Sequence, residues 1–249
     1  MTPAISVYEA TVWFRPYAER IPTWRRALGA GEFRVEERVT ALKDVSFNVL
    51  RGEAFGIIGR NGAGKSTLMR IIARTMRPNT GSVQVNGTTS TLLQLGVGFN
   101  AQLSGRRNIF LGSLAAGVPK KEIEEKFDAI VEFAELGQAI DRPMKTYSSG
   151  MFARLAFSVS MHMDPDILLL DEILAVGDEG FREKSMQTMR DLLARSGTIV
   201  LVSHSLAQVS DFCDRAMWLD RGEVGAIGEA AAVVEQYRDF VRTTQTKLT

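Results

Sequence analysis

Three glycines, one lysine and two hydroxyl residues fall within nine positions in GRNGAGKST, Gly59 to Thr67. At Gly59, Gly62 and Gly64 the backbone can turn its N–H groups inward, so the run from Gly59 through Arg60, Asn61, Gly62, Ala63 and Gly64 can cradle phosphate oxygens. A helix starting there would direct the positive end of its dipole at the same anion. Lys65 supplies a point charge for the β- and γ-phosphates of a nucleotide. The Ser66 hydroxyl, with Thr67 behind it, is placed to ligate a Mg²⁺ ion bridging those phosphates. The chemistry is phosphoryl binding, with Mg-ATP as the natural ligand.

ILLLDE at 167 to 172 is an aliphatic run ending in two acids, about a hundred residues beyond the glycine loop. A buried strand of that kind would carry Asp171 to the Mg²⁺ shell and Glu172 to an attacking water, which it would polarise by accepting a hydrogen bond. His204 follows TIVLVS, where a polar side chain projects from the carboxyl edge of a parallel sheet. There it would bond the γ-phosphate and the same water. Ser148, Ser149 and Gly150 open a helical stretch, TYSSGMFARLAFS, whose hydroxyls and N–H groups suit either an ordinary N-cap or a grip on phosphate.

The surrounding pattern supplies the elements that must hold these groups. The run AFGII precedes the glycine loop, and Leu68, Ile71 and Ile72 follow it at helical spacing. Ile5 to Phe14 and Val39 to Val49 read as strands, the first at a sheet edge, flanking an insertion-like segment at 15–38. Val83 to Val85 followed by Asn86-Gly87 reads as a strand entering a tight hairpin. Ile123, Phe127, Ile130, Val131 and Ala134 lie on one helical face, so 105–150 is expected to form a helical subdomain. Alternating helix and strand in the second half predict a parallel sheet. Asp220-Arg221-Gly222 turns a hairpin, and a final amphipathic helix spans 228–249. The expected fold is α/β, one domain over 1–249, with a mixed central sheet, an antiparallel patch and a helical subdomain.

Composition excludes other classes. With 45% hydrophobic and 24% charged residues and a formal net charge of +1, the chain has no basic field for nucleic acid. No apolar run approaches the roughly 18 to 20 residues that span a bilayer, and no secretory leader is expected. One cysteine, Cys213, excludes an internal disulfide and any Cys-based metal site; it reads as core filler.

In their order, these motifs resemble the ATPase subunit of ABC transporters across nearly the whole chain. YSSGM at 147 to 151 is similar to the signature usually written LSGGQ. Ser148 and Gly150 keep the pattern, while Tyr147, Ser149 and Met151 depart from it. Together with LLQLGVGFNAQLSGRRNIFL at 92 to 111 and DEILAVGDEGFREK at 171 to 184, it resembles the branch that exports polysaccharides, and the C-terminal carbohydrate-binding domain that some members of that branch carry is not expected here. The resemblance implies a homodimer, each ATP held between one glycine loop and the other copy's Ser148–Gly150. It also implies a separate multi-span permease, a lipid-linked glycan as cargo, and a place on the cytoplasmic face of the membrane. Ala175 to Asp178 would contact the second copy, with Asp178 near its nucleotide. Phe14 would stack on adenine, with Trp13 as its rival; Gln94 would complete the Mg²⁺ shell, with Gln102 as the alternative. The 15–38 segment, six arginines against four glutamates, reads either as a solvated loop or as an approach to lipid pyrophosphate through residues such as Arg25 and Arg26. A soluble ATPase on ribosomes or DNA is the rival reading, disfavoured by the neutral charge.

Overall fold

The computed structural model describes residues 2–15, 38–91, 98–162, 164–171, 179–195 and 197–246. Strands β1 (Ile5–Phe14), β2 (Val39–Val49) and β4 (Thr80–Val85) form an antiparallel sheet in the order β2-β1-β4. A second sheet has the order β5-β6-β7-β3-β8-β9, from β3 (Ala54–Ile58), β5 (Thr89–Thr91), β6 (Ile167–Asp171), β7 (Thr198–Val202), β8 (Arg215–Asp220) and β9 (Glu223–Glu229). It is parallel apart from the β8–β9 hairpin. Helices α1 (Lys65–Ile72), α2 (Gly105–Ala115), α3 (Lys120–Ala134), α4 (Ser149–His162), α5 (Glu179–Ala194), α6 (Leu206–Phe212) and α7 (Ala230–Thr246) complete it.

Helix α1 lies between the sheets. Its Leu68, Met69, Ile71 and Ile72 share one apolar cluster with Ile5, Val7 and Leu42 of the antiparallel sheet and with Phe55 and Ile57 of β3. Each such burial contributes roughly 1.5–3 kcal/mol. On the opposite face, Ile58, Leu168 and Leu201 meet Phe157 of α4, Phe181 of α5 and Val234 of α7. With both faces covered, β3 and β7 are buried at every position, which is why AFGII and TIVLV read as continuous apolar runs rather than alternations. Helices α2, α3 and the first part of α4 have their own cluster around Ile109, Ile123, Ile130 and Leu155.

Three expectations need correction. β1 is the central strand of its sheet, not an edge, because both its sides are hydrogen bonded; only its outer face is open, where Tyr8 is exposed. Asn86-Gly87 makes no hairpin. The Asn86 amide donates to Pro3 O at 2.9 Å and its backbone N–H to Ala4 O at 2.8 Å, and the chain then crosses to the other sheet, where β5 pairs with β6 in parallel. Gly87, at φ 142°, passes so close to Asp166 that a Cβ would lie 2.7 Å from the Asp166 Cβ. The turn-permissive pair is spent on a sheet-to-sheet crossing. The last helix starts at Ala230, because 228 and 229 belong to β9.

Cys213 is buried beneath β3, and burial pushes its thiol up to about 12. A raised thiol pKa means almost no thiolate below that value, and the thiolate is the nucleophile. At pH 8 the folded chain is therefore expected to resist an aromatic disulfide reagent for hours and to react within minutes in denaturant; rapid reaction of the folded chain would contradict this burial.

Candidate nucleotide site

The register of the parallel strands gathers the carboxyl ends of β3, β7 and β6 at one edge. Ile57 of β3 is paired with Val202 of β7, and Val202 with Asp171 of β6. The glycine loop leaves β3 there, Ser203-His204 leaves β7, and Asp171 is the last residue of β6. A cavity of about 360 Å³ opens there, lined by Ala41, Asn61 to Thr67 and His204.

The loop is held from behind. A Cβ on Gly59 would collide with Leu219 O, and one on Gly64, at φ 105°, would lie 2.5 Å from Ala41 O. The β8–β9 turn fastens both neighbours: Gly222 N–H donates to Ala63 O at 2.9 Å, and Lys43 N–H donates to Gly222 O at 2.9 Å. Ala41 of β2 thereby becomes part of the cavity wall, a lining residue that sequence reasoning missed. Its only signal is three-dimensional, the close approach that makes Gly64 and Gly222 necessary.

Lys65 is 7% exposed, and its ammonium donates to Gly59 O at 2.7 Å and Arg60 O at 3.1 Å. The positive charge is thus centred inside the curl of the loop. Helix α1 begins after Gly64 with no side-chain cap and no acid in its first turn, so its leading N–H groups and dipole face the cavity. Ser66 is exposed at that turn and lines the cavity. Among the described residues no group of three His, Cys, Asp or Glu gathers to hold a metal. The described donor at hand, the Ser66 hydroxyl, fits a hard divalent ion that keeps phosphate and water oxygens.

His204 is exposed and lines the same cavity. Its loop is tightened by Ser203, which donates to Gln208 Oε1 at 2.9 Å and accepts from Ser205 N–H at 3.0 Å. Phe14 is 41% exposed at the end of β1, paired with exposed Val39, two residues from Ala41. Its rival Trp13 already has the Arg38 guanidinium 4.2 Å from its ring centroid. Gln94, Glu172, Asp178 and the 16–37 segment with Arg25 and Arg26 lie outside the described residues, as does the side chain of Asp171; Gln102 is exposed.

Ser148, Ser149 and Gly150 are not among the residues that line the cavity. Ser148 caps α4: its Oγ accepts from Met151 N–H at 3.2 Å, which leaves the hydroxyl proton as a donor. Ser148 and Ser149 are exposed. The structure therefore brings Gly59–Thr67, Asp171 and His204 to one edge and leaves Ser148–Gly150 apart from it.

Comparison with known proteins agrees with this arrangement. The ABC transporter family model matches residues 42–175. The chain is 45% identical over 198 residues to the O-antigen export system ATP-binding protein RfbB of Klebsiella pneumoniae, covering 80% of each. It is 43% identical over 228 residues to the protein of the same name from Myxococcus xanthus, covering 92% of this chain but 52% of that protein. It is 46% identical over 207 residues to the teichoic acids export ATP-binding protein TagH of Lactococcus lactis, covering 83% of this chain and 44% of the other. The chain thus spans about half the length of the last two relatives. An ABC transporter ATP-binding subunit of solved structure superposes with a TM-score of 0.76 at 22% identity, covering 95% and 93% of the two chains. A dimeric ATP-binding cassette bound to ADP and Pi superposes with a TM-score of 0.73 at 22% identity, covering 91% and 98%. The chain belongs to the ABC transporter family, as one of its ATP-binding, ATP-hydrolysing subunits.

Proposed function

We propose that this subunit powers export of a lipid-linked polysaccharide, working as a pair of identical chains on the cytoplasmic face of the membrane beside a separate membrane-spanning subunit. The observation that carries the paired reading is the separation just described: the phosphate cavity is lined by one set of motifs, while the exposed, capping serine that could close over a nucleotide is not among its lining residues. Two copies in opposite orientation would each supply the missing half. Among the described residues no helix is long and apolar enough to cross a membrane, consistent with a partner that provides the passage. Relatives named for O-antigen and teichoic acid export at 43–46% identity support a glycan cargo.

In this reading the glycine loop and the N-terminus of α1 hold the β- and γ-phosphates, Lys65 neutralises them, and Phe14 stacks on adenine. Ser66, Asp171 and Gln94 would hold Mg²⁺, which when bound offsets the charge of the phosphate oxygens. Glu172 orients and polarises the attacking water, and His204 fixes the γ-phosphate. Ser148 and Gly150 of the second copy, with its Asp178, close the site. Closure therefore depends on the γ-phosphate and is released when that group leaves, a switch made from differential contacts.

Depletion of the protein in its cell tests the cargo. Finished lipid-linked polymer is expected to accumulate on the cytoplasmic side, protected from external glycan-modifying reagents. Unchanged surface glycan with no internal accumulation would remove polysaccharide from the proposal.

A further inference from the structure

Ser148 is reached through two short 3₁₀ turns, Gly137–Asp141 and Met144–Thr146, anchored by buried Ile140 and Met144. This segment is fastened to the loop ahead of α2. Met144 N–H donates to Leu103 O at 2.9 Å and Lys145 N–H to Ala101 O at 2.8 Å. That loop is itself locked by Asn108, which is fully buried. Its Oδ1 accepts from Asn100 N–H at 2.6 Å, and its Nδ2 donates to Asn100 O, Leu103 O and Ser104 O at 2.9–3.1 Å.

Tyr147 stands where these pieces meet. Its hydroxyl donates to Ala139 O at 2.8 Å, closing the segment onto itself eight residues back. The same oxygen lies against Gly105, the first residue of α2, so closely that a Cβ there would collide with it. The ring is half-buried and packed against the apolar cluster that contains Ile109, Ile140 and Met144. The hydroxyl thus ties the first 3₁₀ turn and the start of α2 to the residue immediately before the capping serine.

We propose that Tyr147 is a positioning residue for ATP hydrolysis: its hydroxyl sets the direction in which Ser148 to Gly150 face the nucleotide of a second copy. This rests on the paired reading above. The residue touches no nucleotide. Its hydrogen bond removes the freedom of the chain to rotate at the entry to α4, and so lowers the ordering cost when the two copies close. Ala139 O also accepts from Arg142 N–H at 2.9 Å, so removing the phenol leaves no orphaned carbonyl and the variant should fold.

The test uses the full chain. Tyr147→Phe is expected to bind a fluorescent ATP analogue within twofold of the parent, because the cavity in its own chain is untouched. Its kcat should fall about fivefold, the worth of one net hydrogen bond, and ATP-driven dimerisation in a Glu172→Gln background should require about twenty-five-fold more protein, because each dimer closes two such sites. Gly105→Ala, which displaces the hydroxyl, should produce the same split, and combining the two should cost no more than either alone. Wild-type kcat and dimerisation in Tyr147→Phe would overturn the proposal. So would a parallel loss of nucleotide affinity, turnover and melting temperature, which marks a general packing defect. Ser148→Ala separates the two levels: loss of turnover there with normal Tyr147→Phe sinks the positioning role alone, whereas normal turnover in Ser148→Ala sinks the paired reading beneath it.

Discussion

Lys65→Ala is expected to weaken ATP binding about a hundredfold or more and to bring turnover below detection, while the melting temperature changes little. The asymmetry follows from where the ammonium sits. It is 7% exposed and donates at close range to carbonyls of its own loop, Gly59 O at 2.7 Å and Arg60 O at 3.1 Å. Folding already bears the cost of desolvating that charge, so deleting it removes a penalty together with the hydrogen bonds the ammonium makes, and the two effects largely offset. Binding has no such offset. A phosphate entering the curl would find the loop N–H groups but no opposite charge, and truncating one member of a buried charged pair costs about 2–5 kcal/mol, at 1.4 kcal/mol per tenfold. Equilibrium titration with a fluorescent nucleotide and a coupled phosphate-release assay measure both quantities. Turnover within tenfold of the parent would remove Lys65 from the phosphate site.

How much of this was legible in the sequence depends on whether the information is local. The glycine loop was legible because each requirement is local: a buried strand before it, a helix after it, and glycines where the backbone takes positive φ, as at Gly62 and Gly64. The β8–β9 hairpin was legible for the same reason, with Arg221 and Gly222 both at positive φ. The Asn86-Gly87 crossing was not, because the same backbone freedom serves a hairpin or a change of sheet. The choice between them is made by Pro3, Ala4 and Asp166, which are remote in sequence. The centrality of β1 was hidden in the same way, since alternation reports which face is buried and not how many neighbours flank the strand.

Within the site, Ser148 was readable as an N-cap but not as a group held apart from the cavity, since that depends on where α4 lies. Tyr147 and Asn108 gave no sequence signal beyond their types. Asn108 looks like one polar residue in a helix; its four hydrogen bonds arise from the fold of 100–104 over the start of α2. Ala41 carries no functional group at all. It enters the cavity wall only because Gly64 and Gly222 let the glycine loop and the β8–β9 turn approach β2.

Glu172→Gln is expected to keep ATP affinity, lower turnover by about 10²- to 10⁴-fold, and convert ATP-bound chains into a long-lived dimer. The amide retains the size and one acceptor of the carboxylate but cannot polarise water by taking up its proton, and loss of a general base costs that much. Affinity should hold or improve, because a negative charge beside the γ-phosphate is removed. The decisive readout is the mass of the complex. If closure depends on contacts between the γ-phosphate and Ser148–Gly150 of the other copy, a chain that binds ATP but cannot cleave it should double its mass in light scattering with ATP and revert with ADP. Its place in the sequence supports the assignment: it directly follows Asp171, whose Cα partner Val202 ends the strand leading to Ser203 and His204. Normal turnover in Glu172→Gln would transfer the general-base role to another group, with His204, the one titratable side chain besides Lys65 in the described cavity wall, as the first to substitute. Slow turnover without an ATP-dependent dimer would separate chemistry from closure and require each chain to complete its own site.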